Sequence, residues 1–408
     1  METALDRFLR YVALDTTSHE ESLSTPSTPG QFDLAHLLVD ELHALGLTDA
    51  AVDSNCYVMA TLPATSPQLA EQPVMGWIAH LDTSESSSGK NIRPRRLLYT
   101  GGDIALNEKT ILREDANLRQ HTGEEILVTD GTTLLGADDK AGIAAIMTAL
   151  DMLQSSDAEH TTIRVAFTPD EELGRGTDHF NQELFNAEYA YTVDGPGCGI
   201  MNCETFTADR AELVLHGMDT HPGTAKDMMK HASLALSSLL SKLPHDRRAE
   251  TTSGREPFIH LLSMSGDVNE AKASFILRAF DEPERNENKK ILQQAFDTTL
   301  AEAGVTGTLE IHEQYRNMKP FLARYPEVTT HLEEAVRRLG LVPKWELVRG
   351  GTDGARLSEQ GLPTPNLFYG GYNPHGVTEW LAVEGLNKSA CILRELALIA
   401  ASAPSNEK

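Results

Sequence analysis

The alternation of strand-like and helix-like segments constrains this 408-residue chain most, because it breaks once and then resumes. Residues 5–14 and 31–46 carry amphipathic helical periodicity, with a polar Ser/Thr/Pro-rich loop from Thr16 to Gly30 between them. VMGWIAHL (74–81) is an apolar run suited to a buried strand. Ser84–Gly89 reads as a loop, and the Gly- and charge-rich stretch up to residue 127 as hairpins and loops. Leu134 and Leu135 end an apolar segment. From Lys140 onward, Ile143, Ile146, Met147, Leu150 and Leu153 share one helical face. Strands at 161–169 and 189–195 follow. Such alternation predicts an α/β domain around a mainly parallel sheet.

At residue 207 the pattern changes. A strand (208–217), a helix (224–243), two strands (257–266 and 272–281), a helix (283–304) and a strand (306–315) follow in order. This is the β-α-β-β-α-β order of a ferredoxin-like unit. The α/β pattern then returns with a helix (327–339), a Gly-rich segment (350–376) and a closing helix (383–401). The expected organisation is a main domain in two parts, 1–206 and 319–408, with an inserted domain at 207–318.

Charge narrows the function. The chain has 35 Lys and Arg against 60 Asp and Glu, a formal net charge of −25. Such a surface repels nucleic acid and anionic membranes, so neither is an expected partner. No apolar run approaches the roughly 18 residues that span a bilayer. The opening METALDRFLRYVALDTTS lacks the basic start, apolar middle and cleavage site of a signal peptide, so a cytoplasmic location is expected. Cys56, Cys198, Cys203 and Cys391 form no CxxC pair, which argues against a disulfide scaffold or a thiolate zinc finger.

Five short segments place acids and histidines at the ends of predicted strands, where open α/β sheets bind ligands. In IAHLDTS, His80 and Asp82 are two residues apart on a strand and share a face. A metal-bound His is commonly oriented by such a carboxylate. LLGADDKAG sets Asp138 and Asp139 at a helix start, where acids also serve as caps. FTPDEELG brings Asp170, Glu171 and Glu172 directly after a strand. Adjacent carboxylates there repel one another unless a cation is present. YTVDGPG ends a strand on Asp194, and LFYGGYNPHG holds His375 in a Gly-rich turn. Each segment alone fits a loop, a cap or a turn. Together they supply His and carboxylate ligands without cysteine, the set of a hydrolytic zinc or related divalent site. Three ligand carboxylates with one hydroxide would balance two divalent cations.

The run AHLDTS, LLGADDKAGIA, TPDEELGRG, TVDG, HPGTAK, RGGTDGA and NLFYGGYNPHG resembles the co-catalytic zinc aminopeptidase and carboxypeptidase family along essentially the whole chain. GGDIAL (101–106), HPGTAK and LFYGGYNPHG are similar to a branch that releases the N-terminal residue of unblocked tripeptides. The resemblance implies two zinc ions per subunit, or cobalt or manganese in their place. His80 and Asp194 would bind one ion, Glu172 and His375 the other, and Asp138 both. Asp82 would orient His80, and Glu171 would be the general base for a zinc-bridging water. The Asp138–Asp139 peptide would be cis. The inserted domain would be a lid through which a homodimer forms. His221 would stabilise the oxyanion in the partner subunit's site, and Arg278 would hold a substrate carboxylate through its bidentate fork. Gly351 and Asp353, in RGGTDGA, would line the substrate cleft. A dipeptidase, carboxypeptidase or N-acyl amino acid deacylase is the alternative within the family, since all attack an amide. A catalytically silent protein on the same fold is the alternative outside it, and no ligand or base position is lost to support it.

Overall fold

The computed structural model describes residues 2–402. The chain forms two compact units. The first comprises the described residues up to Cys203, Pro320–Glu346 and the described residues from Thr352 on; the second comprises Glu204–Lys319 and Leu347–Gly351.

The first unit is built on a sheet whose strands run, in spatial order, Ala51–Val52, Val58–Leu62, Ile163–Thr168, Met75–His80, Tyr189–Gly195, Asn366–Phe368, Ile200–Asn202 and Lys344–Trp345. Its centre is parallel: Met75–His80 pairs in parallel with both Ile163–Thr168 and Tyr189–Gly195. These strands read as continuous apolar runs because both faces are covered. Trp77 and Ala79 pack into the core with helices Ala137–Gln154 and Val383–Ser402. Ile78, one residue out of phase, packs with Phe180, Phe185 and Leu357 on the opposite face. Val165 and Phe167 against Ala166 repeat the alternation. Fully burying each large apolar side chain contributes about 1.5–3 kcal/mol.

The stretch up to residue 127 holds more order than its composition suggests. Arg95–Leu98 and Glu125–Val128 pair with each other and extend through Trp380–Ala382 to Gly371–Tyr372 in an antiparallel sheet. Tyr99, Leu118, Ile126 and Trp380 form its own small core. The Gly-rich segment likewise contains a helix, Asp353–Glu359, and the strand Asn366–Phe368. Thr352 starts that helix by accepting the N–H of Ala355 at 3.2 Å.

The second unit has the ferredoxin-like order. Its antiparallel sheet runs Phe258–Gly266, Glu270–Ala279, Thr207–His216, Thr306–Tyr315. Leu213, Leu215, Phe275 and Leu277 bury against Leu236 and Leu239 of helix Ala232–Lys242 and Leu292 and Phe296 of helix Glu282–Ala303. The first of these helices begins eight residues later than its apolar pattern predicts. Pro222–Thr224 forms a single 3₁₀ turn, and the α-helix starts only after His231, whose Nδ1 accepts the N–H of Leu234 at 3.4 Å. Among the described residues no helix is long and apolar enough to cross a membrane.

Candidate metal centre

The register of the parallel strands gathers the acids and histidines. His80 ends its strand directly opposite Thr168, so the segment Asp170–Glu171–Glu172 begins level with the imidazole. Asp194 lies at the same end of the next strand over. Asp138 arrives differently. No strand precedes it directly: Glu125–Val128 ends well before, and an irregular segment leads to Gly136, which turns with φ +73°. The Asp138–Asp139 peptide is cis, and regular helix begins at Lys140. A side chain at Gly142, one turn on, would run into the Asp139 carboxylate and the Val193 carbonyl. His375 comes from the loop after Gly371–Tyr372.

Nε2 of the buried His80 lies 2.9 Å from Asp138 Oδ1 and 3.7 Å from Asp194 Oδ1. Its Nδ1 faces Asp82, 3.1 Å from the carbonyl oxygen and 3.3 Å from Oδ1. His375 Nε2 lies 2.9 Å from Glu172 Oε2 and 3.3 Å from Asp138 Oδ2. The ligand atoms of His80, Asp138 and Asp194 lie within 4.8 Å of one another, as do those of Asp138, Glu172 and His375. Asp138 belongs to both groups, one carboxylate oxygen towards each histidine.

Crowding and burial shift the titration of the acids and of His375. Burial, then the neighbouring Asp138 charge, pushes Glu172 up to about 7. Burial likewise raises Asp194 to about 6. Burial, then the Asp194 charge, holds Glu171 well above the usual carboxylate range. Hydrogen bonds to Asp138 and Glu172 push His375 up to about 11. Glu172 Oε1 and Asp139 Oδ1 are buried and have no hydrogen-bond partner. A buried acceptor without a donor costs about 1–3 kcal/mol, and more when charged. At Glu172 a cation would remove that cost. The donor set of two imidazoles and carboxylates, without thiolate, fits zinc or a related divalent ion.

A family model described as Peptidase family M20/M25/M40 matches residues 129–399. The chain belongs to this family. It is 45% identical over 392 residues to Peptidase T of Parabacteroides distasonis, covering 95% of this chain and 96% of the relative. It is 44% identical over 403 residues to Peptidase T of Bacillus subtilis, covering 97% and 98%. Among solved structures it resembles aminopeptidase PepT from Bacillus cereus, with TM-score 0.76 at 22% identity over 98% of both chains. A tripeptidase from Staphylococcus aureus gives TM-score 0.79 at 22% identity, again over 98% of both chains. These two structures share the fold of this M20-family chain.

Asp353 lies beside these groups. It is buried, accepts from Thr168 Oγ1 at 2.8 Å, and lines a small cavity with His80, Glu171 and Asp194. Burial pushes it up to about 7. The other expected residues belong to the second unit. His221 is exposed, and its Nδ1 accepts the N–H of Gly223 at 3.1 Å. Arg278 lies over the Tyr315 ring at 5.3 Å and donates to Gln314 Oε1 at 3.2 Å. Gly351 packs against the same Tyr315 ring, leaving no room there for a side chain.

Several supporting residues are not legible from motif spacing. Asp170, at φ +54°, accepts from Ser27 N–H at 2.7 Å and Gln31 Nε2 at 2.7 Å, and so fixes the backbone just before Glu171. Asp139 Oδ2 accepts the N–H of His80 at 3.2 Å. Lys140 is buried and donates to the Leu14 carbonyl at 2.6 Å. All three stand inside the FTPDEELG and LLGADDKAG segments, but nothing in the sequence gives their partners.

Proposed function

We propose that the chain is a metal-dependent aminopeptidase that releases the N-terminal residue of unblocked tripeptides. The observation that carries this reading is the sharing of Asp138 between two ligand groups, with Glu171 beside them. In this reading His80 and Asp194 hold one ion, Glu172 and His375 the other, and Asp138 both, with zinc as the metal. The names Peptidase T, aminopeptidase PepT and tripeptidase on similar proteins support the substrate class.

The ions, when bound, polarise the scissile carbonyl and make water acidic enough to react near neutral pH. The residues do the rest. Glu171, half-buried and with its carboxyl raised, accepts the proton of the attacking water as its oxygen bonds to the first peptide carbonyl carbon. The same carboxyl then delivers that proton to the leaving amine nitrogen as the C–N bond breaks. Asp82 fixes both His80 and the backbone that presents Glu171. In the full reading Arg278 holds a substrate carboxylate, and Gly351 and Asp353 border the cleft. Two subunits pair through the inserted unit, and His221 serves the partner's oxyanion. The enzyme works on small peptides in the cytoplasm.

The test is product analysis on one tripeptide, free and N-acetylated, with and without chelator. Release of the first residue from the free peptide alone, abolished by chelator and restored by zinc, is the expected result. Cleavage of the acetylated peptide would replace the reading with a deacylase or carboxypeptidase.

A further inference from the structure

Glu379 belongs to none of the groups above. It follows His375 by four residues and is buried, 1% exposed. Its carboxylate accepts four successive backbone N–H groups. Oε2 takes Leu135 at 2.6 Å and Gly136 at 2.8 Å, and Oε1 takes Ala137 at 2.8 Å and Asp138 at 3.1 Å. These donors lie in the irregular segment before the regular helix at Lys140. Buried backbone N–H groups need an acceptor, and here a distant carboxylate supplies it. The buried Lys140 ammonium is near enough for the charges of both Glu379 and Asp82 to act on it.

The connection reaches further than these four amides. Glu379 donates its own N–H to the Gly376 carbonyl at 3.1 Å, closing the loop that carries His375. The next residue, Trp380, pairs with Val128 at the other end of the segment leading to Asp138. One side chain therefore ties the loop of His375 to the backbone of Asp138. Those two side chains lie 3.3 Å apart in one ligand group.

We propose that Glu379 is a positioning residue, which holds Asp138 and His375 in register for the ion they share without touching that ion. This rests on the metal reading proposed above. Glutamine in its place keeps the size but exchanges one acceptor for a donor, which would face N–H groups.

The experiment titrates Zn²⁺ and Co²⁺ into metal-free wild type, Glu379→Gln and Leu332→Ala. Leu332 is a buried core residue of helix Pro326–Arg338 and serves as a control for general destabilisation. The wild type should bind two ions. Glu379→Gln should bind the weaker ion about 10- to 100-fold less tightly, the range for residues that orient metal ligands. Its Co²⁺ visible spectrum should change, and kcat should fall with KM little altered. Leu332→Ala should keep wild-type affinity at a lowered Tm. Wild-type metal affinity in Glu379→Gln would overturn the inference alone, as would an equal loss in Leu332→Ala. Failure of the wild type to bind two ions would overturn the metal reading and this inference with it. If Glu379→Gln does not fold, hydrogen exchange on metal-free wild type decides. Protected amides at 135–138 support the clamp, and unprotected ones overturn it.

Discussion

Asp82 Oδ1 accepts the backbone N–H of Glu171 at 3.0 Å. The second oxygen accepts from Glu172 at 3.2 Å, and Oδ1 also lies 3.3 Å from Nδ1 of His80. One fully buried carboxylate thus fixes a histidine, the proposed base and an acid of the other ligand group. Asp82→Ala should lower kcat and weaken metal binding together, the latter by about 10- to 100-fold. Steady-state kinetics with metal analysis checks this. Unchanged metal affinity would separate Asp82 from the centre.

Glu171 behaves differently if it moves a proton and holds no ion. Glu171→Gln should retain wild-type metal stoichiometry while kcat falls by about 10²- to 10⁴-fold. Metal content of the dialysed protein, measured beside kcat, is the check. Loss of an ion from this variant would make Glu171 a ligand.

Removing His375 should cost one ion and not both. His375→Ala leaves His80, Asp138 and Asp194 intact, so bound zinc should fall from two equivalents to one. Asp138→Ala, which damages both groups, should lose both. Elemental analysis after dialysis distinguishes the two variants, and equal losses would refute the shared role of Asp138.

Acidity should control the contribution of metal to stability. Without metal, burial raises Glu172 to about 7 and Asp194 to about 6, and hydrogen bonds hold His375 at about 11. All three bind protons more tightly folded than unfolded. The carboxylates therefore stabilise the metal-free fold fully only below their ordinary values of 4.5 and 3.8, and lose that contribution as pH rises through about 6 to 7. The His375 contribution is complete below 6.5 and is lost only as pH rises through about 11. Metal displaces these protons and so binds better at higher pH. The Tm difference between zinc-loaded and chelated protein should widen from about pH 5 to about pH 8. A constant or shrinking difference would contradict the assignment.

Stability of the second unit should depend on Asp209. Its fully buried carboxylate accepts from Arg285 Nε at 2.8 Å and Nη2 at 2.7 Å. Asp209→Ala strands a largely buried guanidinium and should cost roughly 3–5 kcal/mol. Arg285 retains Glu282 and Glu313, which favours the lower end. Denaturant unfolding measures it, and a loss under about 1 kcal/mol would show those two acids suffice.

The α/β class, the β-α-β-β-α-β order of the inserted unit and the segments holding His80, Asp138, Glu171, Glu172, Asp194 and His375 are legible in the residues alone. Periodicity is local, and His80, Glu171, Glu172 and Asp194 stand out at or just after the ends of apolar strands, whereas Asp138 and His375 are marked only by their Gly-rich flanks. Apolar residues carry the helical pattern back to residue 224, but Lys230 pairs with Met218 and the α-helix starts only after the cap at His231. How distant carboxylates connect follows from the folded chain alone. Asp82 reaches the backbone of Glu171, Asp170 is held by Ser27 and Gln31, and Glu379 accepts amides more than 240 residues earlier in the chain. Most of these bonds join a side chain to backbone N–H groups, which carry no residue identity, so no spacing rule in the sequence announces them.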